Sequence, residues 1–285
     1  MRTVLFPGQG AQFKGMGKEL FPMYPQLTRA ASEILGYSIE TLCLEDRANQ
    51  LRYTQYTQPA LYVVNAFGYM KKKREHASDA QADYFAGHSL GEYNALLAAE
   101  AFDFESGLRL VQKRGELMGK ASGGLMAAVV GVEPQRIRQV LDDNGLQEID
   151  LANYNTPTQT VISGKTNAVD RAEKIFRDLK IRCVLLNVTA PFHSRYMQPA
   201  QQEFAEFTKQ IRFFPLKARV ISNVTARPHD GNVPDLLITQ ITNPVRWSDS
   251  IRYLLSQGDM QFTEIGGSIL TNMVNEISKS QLVLR

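Results

Sequence analysis

Ser89 lies between Gly87 and Gly91 in the stretch FAGHSLGEYNALLAAE, residues 85–100. The GxSxG spacing is typical of a serine nucleophile on a sharp turn, where glycine permits a close backbone approach. The N–H of the next residue, Leu90, would point toward the oxyanion that forms when serine attacks a carbonyl. Because chance supplies this pentapeptide in about one chain in ten of this length, its flanks decide its meaning.

The flanks of Ser89 predict the elements that such a nucleophile needs. ADYFAG is typical of a short buried strand, and LGEYNALLAAEAF is rich in Ala and Leu, which favours a helix. Strand, serine turn and helix follow one another directly. We therefore interpret Ser89 as a nucleophile that attacks an acyl carbonyl.

A serine hydroxyl needs a base at neutral pH, and the chain has 4 histidines. His76 lies in the charged segment KKKREHAS and His229 in a turn beside a proline, while His88 adjoins Ser89 on a turn that would point its ring elsewhere. Elimination leaves His193, in APFHS directly after the predicted strand CVLLNV. The alternative for His193 is a purely structural histidine.

A third member of a triad is not evident in the sequence. Asp103 and Asp150 lie between Ser89 and His193 in the chain order of α/β-hydrolases, but neither has a distinguishing context. A main-chain carbonyl is the alternative group to orient the imidazole, which would make the unit a dyad.

Arg114 interrupts an apolar stripe on a predicted helix over residues 105–120. Helical spacing places it on the same face as four apolar side chains, Leu110, Val111, Leu117 and Met118. One interpretation is a snorkelling side chain that covers apolar surface while its head stays in water. The other is an arginine that points into a cleft to hold an anion.

The elements around these residues predict an α/β fold in two parts. Residues 124–189 have the order βαββαβ, typical of a ferredoxin-like unit with one sheet and two helices on one face. We interpret this segment as a subdomain inserted into a larger α/β domain formed by residues 1–123 and 190–285.

Composition limits the class of protein. The 285 residues are 44% hydrophobic, enough for a sizeable core, and the net charge of +3 gives no nucleic-acid footprint. The chain has 2 cysteines, Cys43 and Cys183, both in apolar-rich segments, which favours buried free thiols over a disulfide. A signal peptide and a membrane-spanning run are not evident, so we expect a soluble, cytoplasmic protein.

Five motifs occur in an order that resembles malonyl-CoA:acyl carrier protein transacylases. They are FPGQGAQ at the N-terminus, GHSLGEY, QKRGELM, APFHSRYM and NPVRW. The resemblance covers essentially the whole chain, and YTQPALYVVNA and ISNVTARP make it most similar to the stand-alone trans-acting acyltransferases of polyketide synthases. It implies an α/β-hydrolase-like core with a ferredoxin-like subdomain, in agreement with the pattern above.

The resemblance implies a role for each matching residue. Ser89 would carry the malonyl ester, with His193 as base and then acid. The backbone carbonyl of Gln240 would orient His193. The oxyanion hole would consist of Gln9 and the Leu90 amide, although in isolation Gln9 is only a polar residue in a glycine turn.

The resemblance also implies the choice of acyl group. Arg114 would pair with the malonyl carboxylate through two hydrogen bonds. Phe192 would leave little room for a branch at the α-carbon and so favour malonyl. Pro191 stands where many relatives have a small residue.

The expected activity is that of an acyl carrier protein S-malonyltransferase in fatty acid or polyketide biosynthesis. It would act by ping-pong transfer of malonyl from malonyl-CoA to the phosphopantetheine thiol of a holo acyl carrier protein, without metal or further cofactor. A trans-acting hydrolase that clears acyl groups from carrier proteins is the main alternative. A docking protein without catalysis is the alternative from another class.

Overall fold

The structure, a computed structural model, describes residues 1–75, 82–188 and 190–283. Within these ranges the strands are β1 (Arg2–Phe6), β2 (Tyr84–Gly87), β3 (Gly124–Val130), β4 (Asp150–Thr156), β5 (Gln159–Lys165), β6 (Arg182–Leu185), β7 (Arg219–Ile221) and β8 (Gln261–Glu264). The helices are α1 (Pro25–Leu35), α2 (Ile39–Glu45), α3 (Thr54–Glu75), α4 (Gly91–Ala98), α5 (Phe104–Lys120), α6 (Pro134–Asp143), α7 (Thr166–Asp178), α8 (Gln198–Thr208), α9 (Val233–Gln240), α10 (Trp247–Ser256) and α11 (Ile269–Val283).

A parallel sheet with the strand order β7-β2-β1-β8 forms the centre of the larger part. Alternate side chains of β1 enter different cores, since Val4 and Phe6 pack toward α3 and α4 while Leu5 packs against residues of α10 and α11. Helices therefore cover both faces of the sheet, as a buried parallel sheet requires. The carboxyl end of β2 leads directly into the Ser89 turn.

The second sheet is antiparallel, with the strand order β4-β5-β3-β6. Chain order here is β3, α6, β4, β5, α7, β6, so the predicted βαββαβ order is found. Ala127, Val129 and Ile162 face a core shared with α6 and α7. Met126 and Val161 point the other way and join the core of the larger part.

The two sheets are also joined through the backbone. Tyr154 of β4 donates its N–H to the carbonyl of Val245 at 2.9 Å, and Val245 donates to Ala152 at 2.9 Å. Val245 precedes α10, so one edge of the antiparallel sheet is bonded to the larger part of the chain.

The sequence predicted that both cysteines are free thiols and that both are buried, and only the first of these predictions is confirmed for both. Cys43 and Cys183 are both free thiols; Cys43 is buried, whereas Cys183 is only half-buried. The expectation of a buried Cys183 was wrong because β6 lies at the edge of its sheet, where Val184 and Leu185 are exposed.

None of the helices that the structure describes is long and apolar enough to cross a membrane. The cytoplasmic location stays a prediction. His76, set aside as a base, lies outside the described residues.

Candidate active site

Ser89 occupies a strained position on the turn between β2 and α4. Its backbone φ is +51°, a left-handed value that a non-glycine residue adopts at a cost in free energy. Asn223 holds the turn from the side: the Ser89 N–H donates to Asn223 Oδ1 at 2.7 Å, and Asn223 Nδ2 donates to the Gly87 carbonyl at 2.7 Å. The strain is thus maintained by contacts from a distant part of the chain.

The glycines of the motif are required by close backbone packing. A Cβ on Gly91 would lie 2.0 Å from the carbonyl oxygen of Phe6, and a Cβ on Gly87 would lie 1.9 Å from the carbonyl carbon of Gly91. Both separations are far below van der Waals contact. The GxSxG spacing therefore reflects a turn pressed against β1.

His193 lies against the Ser89 hydroxyl. Its Nε2 is 2.7 Å from Ser89 Oγ, and its Nδ1 is 2.9 Å from the Gln240 carbonyl and 3.2 Å from the Asn243 carbonyl. Because a carbonyl only accepts hydrogen bonds, Nδ1 carries the hydrogen and Nε2 is left to accept one from serine. A main-chain carbonyl occupies the place of the acid in a triad.

Burial is the main cause of a lowered pKa at His193, which falls to about 3. The positive charge of Arg114 lowers the pKa further, while the hydrogen bond to the Gln240 carbonyl opposes the change. The imidazole is only 4% exposed. It is therefore neutral at physiological pH and has the protonation state of a general base.

Arg114 is 1% exposed, so the snorkelling interpretation was wrong. Its Nη2 donates to Ser89 Oγ at 3.0 Å and to Gln240 Oε1 at 2.8 Å, and its Nη1 donates to Gln58 Oε1 at 2.6 Å. The guanidinium carbon also lies 5.4 Å from the centre of the Tyr93 ring. The cation is thus fixed beside the candidate nucleophile.

The guanidinium of Arg114 has only uncharged hydrogen-bond partners. Each of the three acceptors is a hydroxyl or amide oxygen, and within the described residues no carboxylate forms a direct ion pair with it. A buried cation without an adjacent anion is costly. A carboxylate brought by a ligand would remove part of that cost.

A small cavity of about 90 Å³ lies over these groups, between the two sheets. Its polar lining includes Gln9, Ser89, Arg114 and His193. Its apolar lining includes Leu90, Met118, Met126, Val161, Val188 and Phe192. A second cavity of about 330 Å³, lined in part by Arg52 and Asn187, shares Gln9, Val188 and Phe192 with it. The two cavities therefore adjoin one another.

The residues to which the resemblance gives a role therefore come together. Gln9 reaches the cavity with its side chain bonded to Thr54, whose hydroxyl donates to Gln9 Oε1 at 2.8 Å. Phe192, 7% exposed, forms part of the wall beside His193. Gln240 contributes its carbonyl, and its side chain also reaches Arg114, a contact that the sequence did not suggest.

The acidic residues considered as a third member lie elsewhere. Asp103 caps the start of α5 by accepting the Ser106 N–H at 2.7 Å, and Asp150 pairs with Arg195. His193 Nδ1 bonds instead to two main-chain carbonyls, those of Gln240 and Asn243. In the described ranges, no group of three His, Cys, Asp or Glu side chains is placed to hold a metal ion.

The other two described histidines are buried in separate contacts. His88 Nε2 is 2.9 Å from Asn155 Oδ1, with its ring turned toward Trp247. His229 Nε2 is 2.8 Å from Glu92 Oε1. Setting both aside as the base agrees with these positions.

Three polar residues of this region were missed by the sequence analysis: Gln58, Glu92 and Asn223. Gln58 and Asn223 lie 56 and 134 residues from the groups they hold, so no local pattern announces them. Glu92 did carry a signal, because it is a lone charge in an Ala- and Leu-rich helix. It is 0% exposed.

Known proteins are similar to this chain over nearly its whole length. Residues 3–281 match the family model described as acyl transferase domain. The polyketide biosynthesis malonyl CoA-acyl carrier protein transacylase BaeC of Bacillus velezensis is 50% identical over 281 residues, which cover 97% of this chain and 96% of BaeC. The polyketide biosynthesis protein PksE of Bacillus subtilis is 51% identical, and this chain spans 36% of its length.

Solved structures agree in fold. The malonyl CoA-acyl carrier protein transacylase from Burkholderia pseudomallei is 48% identical, with a TM-score of 0.95 over 98% of both chains. A malonyl-transacylase in complex with its type II polyketide synthase acyl carrier protein is 31% identical, with a TM-score of 0.91 over 98% of this chain and 93% of that one. Because the family model matches nearly the full length of this chain, this mixed α/β protein belongs to the acyl transferase domain family.

Proposed function

We propose that this protein transfers a malonyl group from malonyl-CoA to the phosphopantetheine thiol of an acyl carrier protein, through an ester on Ser89. The names and near-complete coverage of BaeC and of the Burkholderia pseudomallei structure support this activity. The protein would then be an acyl carrier protein S-malonyltransferase. Similarity to BaeC favours a role in polyketide biosynthesis over one in fatty acid synthesis. The protein would then act in trans for a polyketide synthase.

One observation carries the choice of acyl group. Arg114 is buried with uncharged partners, and its Nη2 lies 3.0 Å from Ser89 Oγ. An acyl chain on Ser89 would therefore extend past a cation that lacks a direct counter-ion. The terminal carboxylate of malonyl supplies that anion, whereas an acetyl group leaves the cation unpaired.

The first half-reaction would form the acyl-enzyme. Ser89 Oγ gives its proton to His193 Nε2 while the oxygen attacks the thioester carbonyl, which gives a tetrahedral intermediate. The carbon–sulfur bond then breaks, and the leaving CoA sulfur takes the proton back from His193. The Gln240 carbonyl at 2.9 Å would stabilise the imidazolium that exists between these steps.

The second half-reaction uses the same groups. The phosphopantetheine thiol gives its proton to His193, and its sulfur attacks the ester carbonyl. The bond to Ser89 Oγ breaks, and the serine regains the proton from His193. No net proton is gained or lost over the two steps.

The lining of the cavity supports the remaining proposed roles. The Leu90 N–H, at the start of α4, and Gln9 would stabilise the oxyanion of both tetrahedral intermediates. Phe192 would restrict the space at the α-carbon and so disfavour a methyl branch.

We also propose the finer description of the fold. The antiparallel order β4-β5-β3-β6, with α6 and α7 on one face, supports a ferredoxin-like subdomain over residues 124–189. The parallel sheet with its serine turn supports an α/β-hydrolase-like core in residues 1–123 and 190–285. The backbone bonds between β4 and Val245 would make the two parts one catalytic unit.

Intact-protein mass spectrometry tests the acyl-enzyme. Incubation with malonyl-CoA should add one malonyl group to the wild-type protein, at the peptide that contains Ser89, and none to Ser89→Ala. A wild-type protein that gains no mass while it still binds a holo carrier protein would contradict the proposal and favour a docking protein without catalysis.

A further inference from the structure

Glu92 is a fully buried carboxylate just behind the Ser89 turn. It lies in the first turn of α4, is 0% exposed, and accepts three hydrogen bonds. The donors are His229 Nε2 at 2.8 Å, the Asn223 N–H at 3.0 Å and Gln240 Nε2 at 2.7 Å. A buried charge with so many partners has a definite position.

The Gln240 amide links this carboxylate to Arg114. Gln240 Oε1 accepts from Arg114 Nη2 at 2.8 Å, and Gln240 Nε2 donates to Glu92 Oε2 at 2.7 Å and to the Ser89 carbonyl at 3.1 Å. A guanidinium only donates and a carboxylate only accepts. Only one orientation of the amide satisfies both neighbours, so chemistry fixes an oxygen–nitrogen assignment that geometry alone leaves open.

Resting on the proposed malonyl transfer, we propose that Glu92 is a positioning residue for the choice of acyl group. Its carboxylate keeps the Gln240 amide turned so that the amide oxygen faces Arg114. With the amide reversed, an NH₂ group would face the guanidinium, and two donors would repel. Arg114 would then move from its place beside Ser89.

The amide also separates the two charges. Because Gln240 lies between them, Glu92 balances the charge of Arg114 without forming a direct ion pair with it. The guanidinium therefore keeps the capacity to bind a substrate carboxylate. A direct pair of the same two residues would compete with malonyl for that capacity.

His229 completes the arrangement as a hydrogen-bond donor. Its side chain is 0% exposed, its Nε2 contacts Glu92, and its Nδ1 has no hydrogen-bond partner among the described residues. Because a carboxylate oxygen only accepts hydrogen bonds, Nε2 carries a hydrogen and donates it to Glu92.

Two substitutions of Glu92 distinguish the effect of its side-chain length from the effect of its charge. Glu92→Asp keeps the charge but withdraws it by one methylene from Gln240. Glu92→Gln keeps the length, and its amide oxygen still accepts from the Asn223 N–H and from Gln240. A matched control is Glu116→Asp, which makes the same change at an exposed position on α5, two residues from Arg114.

The readout is the ratio of single-turnover acylation rates of Ser89 with malonyl-CoA and with acetyl-CoA. General damage to the fold or to His193 lowers both rates together, whereas misplacement of Arg114 lowers the malonyl rate selectively. We expect Glu92→Asp to lower the malonyl-to-acetyl ratio about tenfold or more, from a weakened hydrogen bond to a charged group. We expect Glu92→Gln, which keeps the acceptor in reach of Gln240, to lower the ratio less than Glu92→Asp does. The ratio for the exposed control Glu116→Asp should stay within about threefold of wild type.

An unchanged ratio in Glu92→Asp, or a greater loss in Glu92→Gln than in Glu92→Asp, would overturn the proposal. If Glu92→Asp does not fold, Gln240→Asn shortens the same link from its other end, and an unchanged ratio there would overturn it equally. Failure of the proposed function itself is distinguishable, because the wild-type protein would then form no malonyl ester at all.

Discussion

The turn that holds Ser89 and the segment that holds His193 each keep a non-glycine residue at a positive φ, but with different contacts. Both residues have left-handed backbones, with φ of +51° for Ser89 and +56° for His193. The Ser89 turn is confined by backbone atoms, since neighbouring glycines contact β1 and each other. The His193 segment instead has the Pro191 ring beside Gly124, and His193 bonds to the carbonyls of Gln240 and Asn243.

This difference affects how easily each residue is recognised in the sequence and how each responds to added side-chain volume. A turn that packs against backbone atoms requires glycines at a fixed spacing, so it is visible as a local motif in the sequence. A segment held by side chains and distant carbonyls leaves only an isolated histidine. The first should tolerate almost no added volume, and the second should adjust to it.

Gly91→Ala should cause the largest loss. The added Cβ would lie 2.0 Å from the Phe6 carbonyl oxygen, so either β1 or the turn must move. We expect acylation of Ser89 to fall about 10⁴-fold, because both the contact with the base and the oxyanion geometry depend on the turn. Stopped-flow release of CoA measures this rate.

Gly267→Ala is the matched control for Gly91→Ala. Its Cβ would have ordinary van der Waals contact, 3.6 Å from the nearest atom. Activity should stay within about twofold and stability within about 0.5 kcal/mol of wild type. If Gly91→Ala were as active as this control, the description of the Ser89 turn as rigid would be wrong.

Arg114→Ala tests the residue that touches the Ser89 turn and acts electrostatically on His193. We expect malonyl transfer to fall about 10²- to 10³-fold through the loss of a charge-assisted pair in a buried site. Acetyl transfer should change far less, since acetyl has no carboxylate to bind. Rates with the two thioesters at equal concentration provide the measurement, and equal losses for both would contradict the carboxylate-binding role.

Gly124→Ala should have a smaller effect than Gly91→Ala. Its Cβ would lie 2.4 Å from the Pro191 ring, so the residues that lead to Phe192 and His193 must shift. Because a proline ring on a loop can move, we expect a loss in acylation of about tenfold and a destabilisation of about 1–3 kcal/mol. A loss as large as that of Gly91→Ala would remove the contrast between the two regions.

The pH dependence should be the weakest perturbation. A general base works only when neutral, and burial together with Arg114 lowers the pKa of His193 to about 3. Between pH 7 and pH 5 we expect kcat/KM for malonyl-CoA to change less than about twofold, whereas an imidazole with an ordinary pKa near 6.5 would lose about 25-fold. A rate that falls with a midpoint near pH 6.5 would contradict a buried, neutral base; circular dichroism at each pH controls for unfolding.

The sequence predicted the parts of this site that depend on local pattern. GxSxG with its flanks located the Ser89 turn, and an arginine on an apolar stripe indicated Arg114. The βαββαβ order likewise matched β3 through β6, because strand and helix periodicity are short-range.

The rest depends on contacts between distant residues. Gln58, Asn223 and the side chain of Gln240 reach the site from other elements, and no local spacing records those contacts. Cys183 was misjudged for a related reason, since an apolar strand reads the same at the edge of a sheet as at its centre. Reasoning from the residues alone reached His193 only by elimination, and the resemblance implied the same role.

The central claim is that Ser89 passes malonyl to a thiol and not to water. The most direct measurement follows carbon-labelled malonyl-CoA with the wild-type protein and a holo acyl carrier protein, and compares label on the carrier with free malonate. We predict that most label reaches the carrier thiol, and that none does when the carrier lacks phosphopantetheine. Free malonate as the main product in the presence of holo carrier would contradict the account and favour a hydrolase.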